Sequence, residues 1–373
     1  MIPFNKPFII GKEIEYIKEA VASGKISGDG MFTKKCHQFF ESRYGFKKCL
    51  LTTSCTDALE MAAILCNIEP GDEVIAPSYT FVSTVNAFVL RGAKIIFADS
   101  EINNPNINIS DIEKLITPKT KAIVVVHYAG IACDMDAVSE IAKKHNIYLI
   151  EDAAQAIDSY YKGKPLGTFG HFAAFSFHET KNIISGEGGM LVVNDEAFVD
   201  RAEIIREKGT NRSKFFRGEV DKYGWVDIGS SFLPSEIIAA FLFAQLEHLE
   251  EIQQKRKQLW HKYYDLLHEL EKSKKISLPV IPHYATNNGH MFFIVCNSGG
   301  ERAALIDYLK AKQILPTFHY LSLHKSAYFN DNISELPNSD RFTDCLLRLP
   351  LFFELSNEQV IHICTEIAHF YKN

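Results

Sequence analysis

Short runs of consecutive apolar residues alternate, in the first half of the chain, with segments whose apolar positions recur every three or four residues. The first kind of segment predicts buried strands, and the second predicts helices. The predicted strands are residues 49–52, 73–76, 94–98, 121–127, 148–150, 172–177 and 190–193. Strands that are apolar throughout and alternate with helices are typical of a largely parallel sheet covered on both faces.

The pattern changes in the second half of the chain. A helical periodicity runs from residue 235 towards residue 270, which would give a helix of roughly 50 Å, kinked or straight. Beyond it, strands are predicted at 290–296, 315–320 and 346–352, with helices at 301–312 and 356–371. Ser356 and Gln359 fit a capping box for the last helix. We therefore expect a large domain over residues 1–245. Residues 246–373 should hold a long connecting helix and a small α+β C-terminal domain.

Two polar residues follow predicted strands in the stretch 151–189. Asp152 ends one apolar run, and Lys181 follows the next, ahead of a glycine cluster. Ligands of parallel sheets sit at the carboxyl ends of the strands, so a carboxylate and an amine should share one site. That pair suits pyridoxal 5'-phosphate (PLP), because a lysine forms a Schiff base with its aldehyde while a carboxylate pairs with its ring nitrogen. Taken singly, Asp152 could cap a helix and Lys181 could be a solvated charge.

A polar turn at residues 53–56 lies between a predicted strand and a helix. This arrangement presents free backbone N–H groups to an anion such as a phosphate. An ordinary helix N-cap explains the same residues.

Composition excludes several classes of protein. The chain has 373 residues and a net charge of −6, which argues against general nucleic-acid binding. We expect a cytoplasmic protein, because no stretch is long and apolar enough to span a membrane and the start lacks the order of a signal peptide. The eight cysteines are scattered without a CxxC pair, which favours reduced thiols and no zinc or other metal site.

Five motifs occur in an order that resembles a known family. They are Cys55-Thr56, Glu151 to Gln155, Phe175-Ser176-Phe177, Lys181-Asn182 and Gly186 to Gly189. Together they resemble the DegT/DnrJ/EryC1/StrS sugar aminotransferases, type I PLP enzymes related to aspartate aminotransferase. The resemblance implies the type I architecture, with a seven-stranded, mostly parallel sheet and a small C-terminal domain. It also implies L-glutamate as amino donor, a nucleotide-sugar substrate, and a homodimer with shared active sites.

The resemblance also implies roles for individual residues. Lys181 would hold PLP and then move the proton between cofactor and substrate, and Asp152 would keep the pyridine nitrogen protonated. The other cofactor contacts would be the N–H groups of Cys55 and Thr56 and the Ser176 hydroxyl at the phosphate, Phe81 stacked on the ring, and Gln155 beside its 3-hydroxyl. Without the family, Phe81 would be interpreted as a core aromatic and Ser176 as a strand-end serine.

The sequence departs from many relatives at Ser231, where an asparagine of the partner subunit would reach the cofactor phosphate. Ser231 can still donate a hydrogen bond, with a shorter reach. The segments 28–30, 178–182, 207–213 and 227–231 resemble one branch of the family. That branch aminates TDP-4-keto-6-deoxyglucose at C4 for enterobacterial common antigen.

Substrate contacts are predicted in three places. Arg212, Lys214 and Arg217 form either a clamp for the diphosphate or a solvated charged loop. His319 and Tyr320 match a family pair near the sugar, and a structural role fits equally. Glu187 is expected to face the cavity of Lys181, towards sugar or amino donor.

Three alternatives remain open at this stage. Amination could occur at C3 or on the opposite face at C4. A sugar dehydratase of the same family would carry histidine in place of Lys181. A binding protein could keep the fold without catalysis.

Overall fold

Seven strands form the main sheet of the computed structural model, which describes residues 1–329 and 335–372. In spatial order they are β1 (Lys48–Thr52), β9 (Gly189–Val193), β8 (Phe172–Ser176), β5 (Tyr148–Asp152), β4 (Thr120–Val126), β2 (Glu73–Pro77) and β3 (Lys94–Ala98). All neighbouring pairs are parallel except the two that involve β9. The predicted seven-stranded, mostly parallel sheet is therefore confirmed.

Helices cover both faces of this sheet. The helices that precede residue 247 are α1 (Glu13–Ala22), α2 (Met31–Tyr44), α3 (Cys55–Leu65), α4 (Ser83–Val89), α5 (Ile109–Leu115), α6 (Met135–His145), α7 (Val199–Arg206), α8 (Arg212–Phe216) and α9 (Glu236–Leu246), and of these α8 has no buried residue. One core cluster, with Phe32, Phe40 and Phe177, lies on one face, and a second, with Leu59 and Phe88, lies on the other. Because both faces are buried, the central strands are apolar throughout.

A second, antiparallel sheet of four strands follows the long helix α10 (Leu249–Lys272). Its strands, in spatial order, are β10 (Ile276–Ser277), β11 (Phe292–Cys296), β13 (Leu346–Leu349) and β12 (Thr317–Phe318). Helices α11 (Gly299–Ala311) and α13 (Asn357–Phe370) pack with it around a third core cluster, and α12 (Pro337–Cys345) contributes Phe342 and Cys345 to a fourth. A small two-stranded hairpin, β6 (Tyr160–Tyr161) and β7 (Lys164–Pro165), completes the strands of the described ranges.

Three local predictions need correction. The helix expected from residue 235 is two helices, α9 and α10, separated at Glu247 and His248. The segment 210–222 contains the short helix α8, although it was expected to be irregular. The predicted strand 315–320 is reduced to β12. The capping box of Ser356 and Gln359 is confirmed at the start of α13. The domain boundary at residue 245 stays a prediction.

A hydrogen-bonded junction connects the two sheets. Asn288 precedes β11, and its Nδ2 donates to the carbonyls of Gln155 (2.8 Å) and Ile157 (2.9 Å), which follow β5. Asn182 donates to Gln253 of α10 at 2.7 Å and contacts His290 Nδ1 at 2.8 Å. These side chains are buried, so the junction excludes water between the main sheet and the second sheet.

Candidate active site

A cavity of about 710 Å³ opens at the carboxyl ends of β5 and β8. It lies between the main sheet and residues of the second sheet, which is where parallel sheets bind ligands. Ten of the residues predicted from the sequence line it: Cys55, Thr56, Phe81, Asp152, Gln155, Ser176, Lys181, Glu187, His319 and Tyr320.

Asp152 is the last residue of β5, and its carboxylate is buried at the floor of the cavity. Thr84 of α4 donates its hydroxyl to Oδ2 at 2.7 Å, and the N–H of Ala154 donates to Oδ1 at 3.1 Å. Burial raises the pKa of Asp152, and these two hydrogen bonds, together with the charge of Lys181, oppose that rise. The carboxylate is thus held in one orientation, ready for a cationic partner.

Lys181 lies in the turn after β8, where its backbone N–H donates to the carbonyl of His178 at 2.9 Å. Its Nζ makes no hydrogen bond and no ion pair with any residue of 1–329 or 335–372. Burial lowers the pKa of the Lys181 amine, while Cys55 and Asp152 partly oppose that shift. A lysine with a lowered pKa supplies more of the free amine that acts as nucleophile and base.

The first turn of α3 forms the anion end of the cavity. Ser54 caps the helix by accepting from the N–H of Asp57 at 3.0 Å, which leaves the N–H groups of Cys55 and Thr56 at the helix start. Gly189 begins β9 against this turn, and a Cβ there would lie 2.3 Å from the carbonyl carbon of Ser54. The glycine therefore lets the strand approach an N-terminus that suits a phosphate.

Side chains that follow β5 of the main sheet and β12 of the second sheet form another wall of the cavity. Gln155 accepts from the N–H of Ala129 at 2.6 Å and donates to the hydroxyl of Tyr320 at 3.1 Å. The ring of His319 stacks on that of Tyr320 at 3.5 Å, and the hydroxyl of Tyr128 contacts His319 Nδ1 at 2.9 Å. His319 and Tyr320 therefore have packing roles as well as access to the cavity.

Phe81 stands at the mouth of the cavity and is 55% exposed. Its ring centroid lies 6.0 Å from that of Tyr320. The interpretation of Phe81 as a core aromatic is therefore wrong, and its ring is free to stack on a planar ligand.

The donor set of this cavity fits PLP. A buried carboxylate suits the ring nitrogen, the free amine of Lys181 suits the aldehyde, and the start of α3 with the Ser176 hydroxyl suits the phosphate. No group of three or more metal-ligating side chains occurs in the described part of the chain. Likewise, none of the helices that the structure describes combines the length and apolarity needed to cross a membrane.

Sequence reasoning missed three residues that shape the cavity. Thr84 fixes Asp152 from the first turn of α4, where no local pattern marks it. His290 lines the cavity from the junction segment. Arg348 also lines it, from β13. The last of these had a detectable feature, because Arg348 is the one charged residue in the apolar run 346–352.

Four predicted residues do not reach this cavity within one chain. Arg212, Arg217 and Ser231 line a separate groove of about 810 Å³. Arg217 is paired with Glu203 at 2.8 Å and with Glu219 at 2.6 Å, and Lys214 is paired with Asp200 at 2.6 Å. Two of the three basic residues of the predicted diphosphate clamp are thus already neutralised by neighbouring carboxylates.

The chain matches a known protein family and its members over nearly its whole length. The sequence model of the DegT/DnrJ/EryC1/StrS aminotransferase family matches residues 7–368. The chain is 35% identical over 373 residues to GDP-perosamine synthase of Escherichia coli O157:H7, covering 100% of this chain and 99% of that protein.

Solved structures show the same architecture. The aminotransferase TlmJ from Streptoalloteichus hindustanus superposes with a TM-score of 0.92 at 27% identity, over 100% of this chain and 99% of that one. Spr1654 from Streptococcus pneumoniae, in its pyridoxamine phosphate (PMP) form, superposes with a TM-score of 0.91 at 25% identity, over the same fractions. A PLP form of Spr1654 also matches, with a TM-score of 0.90.

Proposed function

Because the chain belongs to the DegT/DnrJ/EryC1/StrS family of PLP-dependent sugar aminotransferases, we propose that it aminates TDP-4-keto-6-deoxy-D-glucose at C4. The amino donor is L-glutamate, and the product is TDP-4-amino-4,6-dideoxy-D-galactose. One observation carries the transamination in this proposal: the Lys181 amine, the Asp152 carboxylate and the start of α3 converge in a single cavity. The TDP sugar and its C4 position are proposed from the segments that resemble one branch of the family.

Lys181 is the catalytic acid and base of this proposal. PLP, when bound, supplies an electron sink that makes a proton on the attached substrate carbon labile. The lowered pKa of Lys181 leaves an amine that can accept that proton from the donor and later deliver a proton to C4 of the sugar. Its position in a turn held by His178 fixes the face from which the proton arrives.

Asp152 and Gln155 orient the cofactor in this proposal. The carboxylate of Asp152, fixed by Thr84 and Ala154, pairs with the ring nitrogen and keeps it protonated. Gln155 is fixed between Ala129 and Tyr320, so its amide stays beside the ring's 3-hydroxyl. The N–H groups of Cys55 and Thr56 and the hydroxyl of Ser176 hold the phosphate at the start of α3.

The sugar occupies the outer part of the cavity. Glu187 is an exposed carboxylate within 3.6 Å of His178 Nε2 at this outer rim, and we assign it to a sugar hydroxyl or the donor amine. His319 and Tyr320 offer polar atoms from the opposite wall. In this proposal a second subunit supplies the basic groove that contains Arg212, and the diphosphate of the sugar nucleotide lies near that groove.

A homodimer brings that groove to the cavity in this proposal. Ser231 lines the groove, and it would reach the cofactor phosphate of the partner subunit. The neighbouring segment exposes large apolar side chains, with Trp225 84%, Phe216 69% and Val226 55% exposed. Large exposed apolar side chains close together in the sequence support an interface in this part of the chain. Light scattering should give twice the monomer mass, and Trp225→Glu should lower it.

A GDP-linked keto sugar is the second candidate substrate. The relative that shares 35% identity over the full chain is a GDP-perosamine synthase, and the PLP apparatus is common to both substrates. Amination at C3 or on the other face at C4 would use the same apparatus, so position and stereochemistry are outcomes of the same assay.

The test is incubation with PLP, L-glutamate and either TDP-4-keto-6-deoxyglucose or its GDP-linked counterpart, with C3 and C4 of the product assigned by NMR. We expect an axial 4-amino group on the TDP sugar. A product from the GDP sugar alone would overturn the TDP assignment.

A second measurement distinguishes an enzyme from a non-catalytic binding protein with the same fold. The wild type with PLP should show a visible band that borohydride removes, and Lys181→Ala should lack it. Absence of the band from the wild type would refute the enzyme assignment itself.

A further inference from the structure

His290 contributes a buried ring nitrogen to the cavity that holds Lys181. It lies in the junction segment ahead of β11, lines the cavity and is only 5% exposed. Its ring Nδ1 lies 2.8 Å from Oδ1 of Asn182, and its backbone N–H donates to Oδ1 of Asn288 at 2.9 Å. The ring and the backbone of His290 are thus both fixed by side chains of the junction between the two sheets.

The partners of Asn182 determine which ring nitrogen of His290 carries the proton. Nδ2 of Asn182 lies 3.0 Å from the backbone carbonyl of Asn288, which can only accept a hydrogen bond. The same nitrogen donates to Gln253 Oε1 at 2.7 Å. The atom of Asn182 that faces His290 is therefore the carbonyl oxygen, so Nδ1 of His290 must be the donor.

The His290 ring is neutral in this environment. Burial lowers its pKa well below the ordinary value, and the positive charges of Lys181, Arg256 and Arg348 lower it further. A neutral imidazole with its proton on Nδ1 has a free lone pair on Nε2. Nε2 makes no hydrogen bond to any residue of 1–329 or 335–372. The cavity therefore contains a buried acceptor that is fixed in its tautomer and lacks a donor.

A second histidine of the cavity shows the contrast. His319 Nδ1 lies 2.9 Å from the hydroxyl of Tyr128, which can both donate and accept, so this partner does not determine the tautomer of His319. The ring of His319 also stacks on that of Tyr320 at 3.5 Å, so packing accounts for its position. The hydrogen bonds around His290, by contrast, leave one defined acceptor for a ligand.

The charges around His290 select the kind of donor that can bind to Nε2. Lys181, Arg256 and Arg348 each lower its pKa, so together they create a positive potential at the ring. An ammonium group at Nε2 would add a further positive charge there and would be repelled. A hydroxyl donates a hydrogen bond without bringing a charge. The ligand group at Nε2 is therefore a neutral hydroxyl and not the amine of the amino donor.

We propose that Nε2 of His290 accepts a hydrogen bond from the C3 hydroxyl of the keto sugar and so makes the enzyme selective for sugars that carry this hydroxyl. This assignment rests on the proposed function. In a 4-keto-6-deoxy sugar, C3 bears a hydroxyl, whereas C5 bears only the methyl group and the ring oxygen. The C3 hydroxyl is thus the one donor on a carbon next to the reacting carbon. Lys181 must reach that reacting carbon, and His290 lies close enough to Lys181 for its charge to act on the ring.

The first test compares TDP-4-keto-6-deoxyglucose, the parent sugar, with its 3-deoxy analogue as substrates of the PLP-loaded enzyme. For the wild type we expect kcat/KM to be about 10- to 100-fold lower with the analogue, because the buried acceptor is then left unpaired. His290→Phe keeps a ring but removes the acceptor, so it should reduce this ratio to below about threefold. The matched control is His283→Phe, which replaces an exposed histidine beside Tyr284 in the same segment and should keep the wild-type ratio.

A binding measurement separates this contact from effects on the reaction. Each sugar is added without L-glutamate to PLP-loaded protein labelled with ¹⁵N-histidine, so no amino group is transferred. The ring signals that are absent from His290→Phe identify His290, and in the wild type they should show a neutral ring with its proton on Nδ1. The parent sugar should shift the Nε2 signal of His290, and the 3-deoxy analogue should leave it unchanged.

The outcomes distinguish this assignment from the proposed function. Equal kcat/KM for the two sugars in the wild type, or a ratio that persists in His290→Phe, would overturn the role of His290. A proton on Nε2, or equal shifts with both sugars, would overturn it as well. The wild-type comparison of the two sugars stands by itself should His290→Phe fail to fold. Failure of the wild type to aminate the parent sugar would instead refute the proposed function.

Discussion

Glu151 is the buried neighbour of Asp152, and its replacement by glutamine should destabilise the main sheet severely. The Glu151 side chain is fully buried on β5, and each of its oxygens accepts two hydrogen bonds. Oε1 accepts from the N–H groups of Phe169 and Gly170, both at 2.8 Å, and Oε2 from Gly167 at 2.8 Å and His127 Nε2 at 3.1 Å. The carboxylate therefore fixes the loop between β7 and β8.

The number of hydrogen-bond donors around the Glu151 carboxylate sets how much folding stability the glutamine variant loses. A glutamine keeps one acceptor oxygen and turns an NH₂ group towards two of the four donors. Each buried donor left unpaired costs about 1–3 kcal/mol, so Glu151→Gln should lose about 2–6 kcal/mol. For a domain of this size that corresponds to an apparent melting temperature lower by roughly 5–15 °C.

The assay is thermal melting followed by circular dichroism, at several pH values. Glu113→Gln is the matched control, because Glu113 is an exposed carboxylate that contacts Lys144 at 2.7 Å, and its loss should change stability by less than about 0.5 kcal/mol. A Glu151→Gln variant that melts together with Glu113→Gln would refute the reasoning.

The pH dependence gives a second check. Burial raises the pKa of Glu151, but the hydrogen bonds from His127, Gly170 and Gly167 outweigh it and leave the pKa lowered. A lowered pKa contributes stability that is present above the unfolded value, about 4.3, and is lost as the pH falls through the folded value. The stability difference between wild type and Glu151→Gln should therefore be constant near neutral pH and shrink in acid.

Three further changes have expected outcomes. Glu236→Gln should cost about 2–4 kcal/mol, because the buried carboxylate caps α2 by accepting from Gly30 and Phe32 at 2.8 Å each; a urea midpoint equal to the wild type would contradict this. Gly189→Ala should lower PLP affinity at least about tenfold, as measured by fluorescence titration with PLP. The added Cβ would lie 2.3 Å from the carbonyl carbon of Ser54 and would displace the backbone N–H groups at the start of α3 that are proposed to hold the phosphate. Cys55 should resist alkylation by iodoacetamide at neutral pH, because burial holds the pKa of its thiol well above the ordinary value; peptide mapping that finds rapid labelling would disprove that.

Strands and strand-end residues were predictable because their causes are local. The strand β3 was predicted at 94–98, and it occupies Lys94–Ala98, because an apolar run between turns has few alternatives in a buried sheet. The expected convergence of Asp152 and Lys181 at one sheet edge followed from the same reasoning, and both line the cavity. Local predictions failed only where the cause was absent from the pattern. Helix α8 has no buried residue, so no periodicity marks it.

Features that depend on distant parts of the chain were not predictable. The break between α9 and α10 at Glu247 and His248 leaves the apolar periodicity continuous, because the helices on either side both bury apolar side chains. The fold brings Arg348 to Phe4 and into the cavity of Lys181, and both of these residues lie far away in sequence. Ser231 lies in a groove outside the cavity of its own chain, and the proposed contact with a partner's cofactor phosphate depends on a subunit arrangement that no sequence pattern can position.

The junction through Asn288 has a consequence for how substrates enter. A hinge motion that swung the second sheet outwards would break the bonds from Asn288 to Gln155 and Ile157 and expose buried Asn182 to water. Because these buried bonds oppose such a motion, a ligand should reach the cavity past Phe81 without an outward movement of the second sheet.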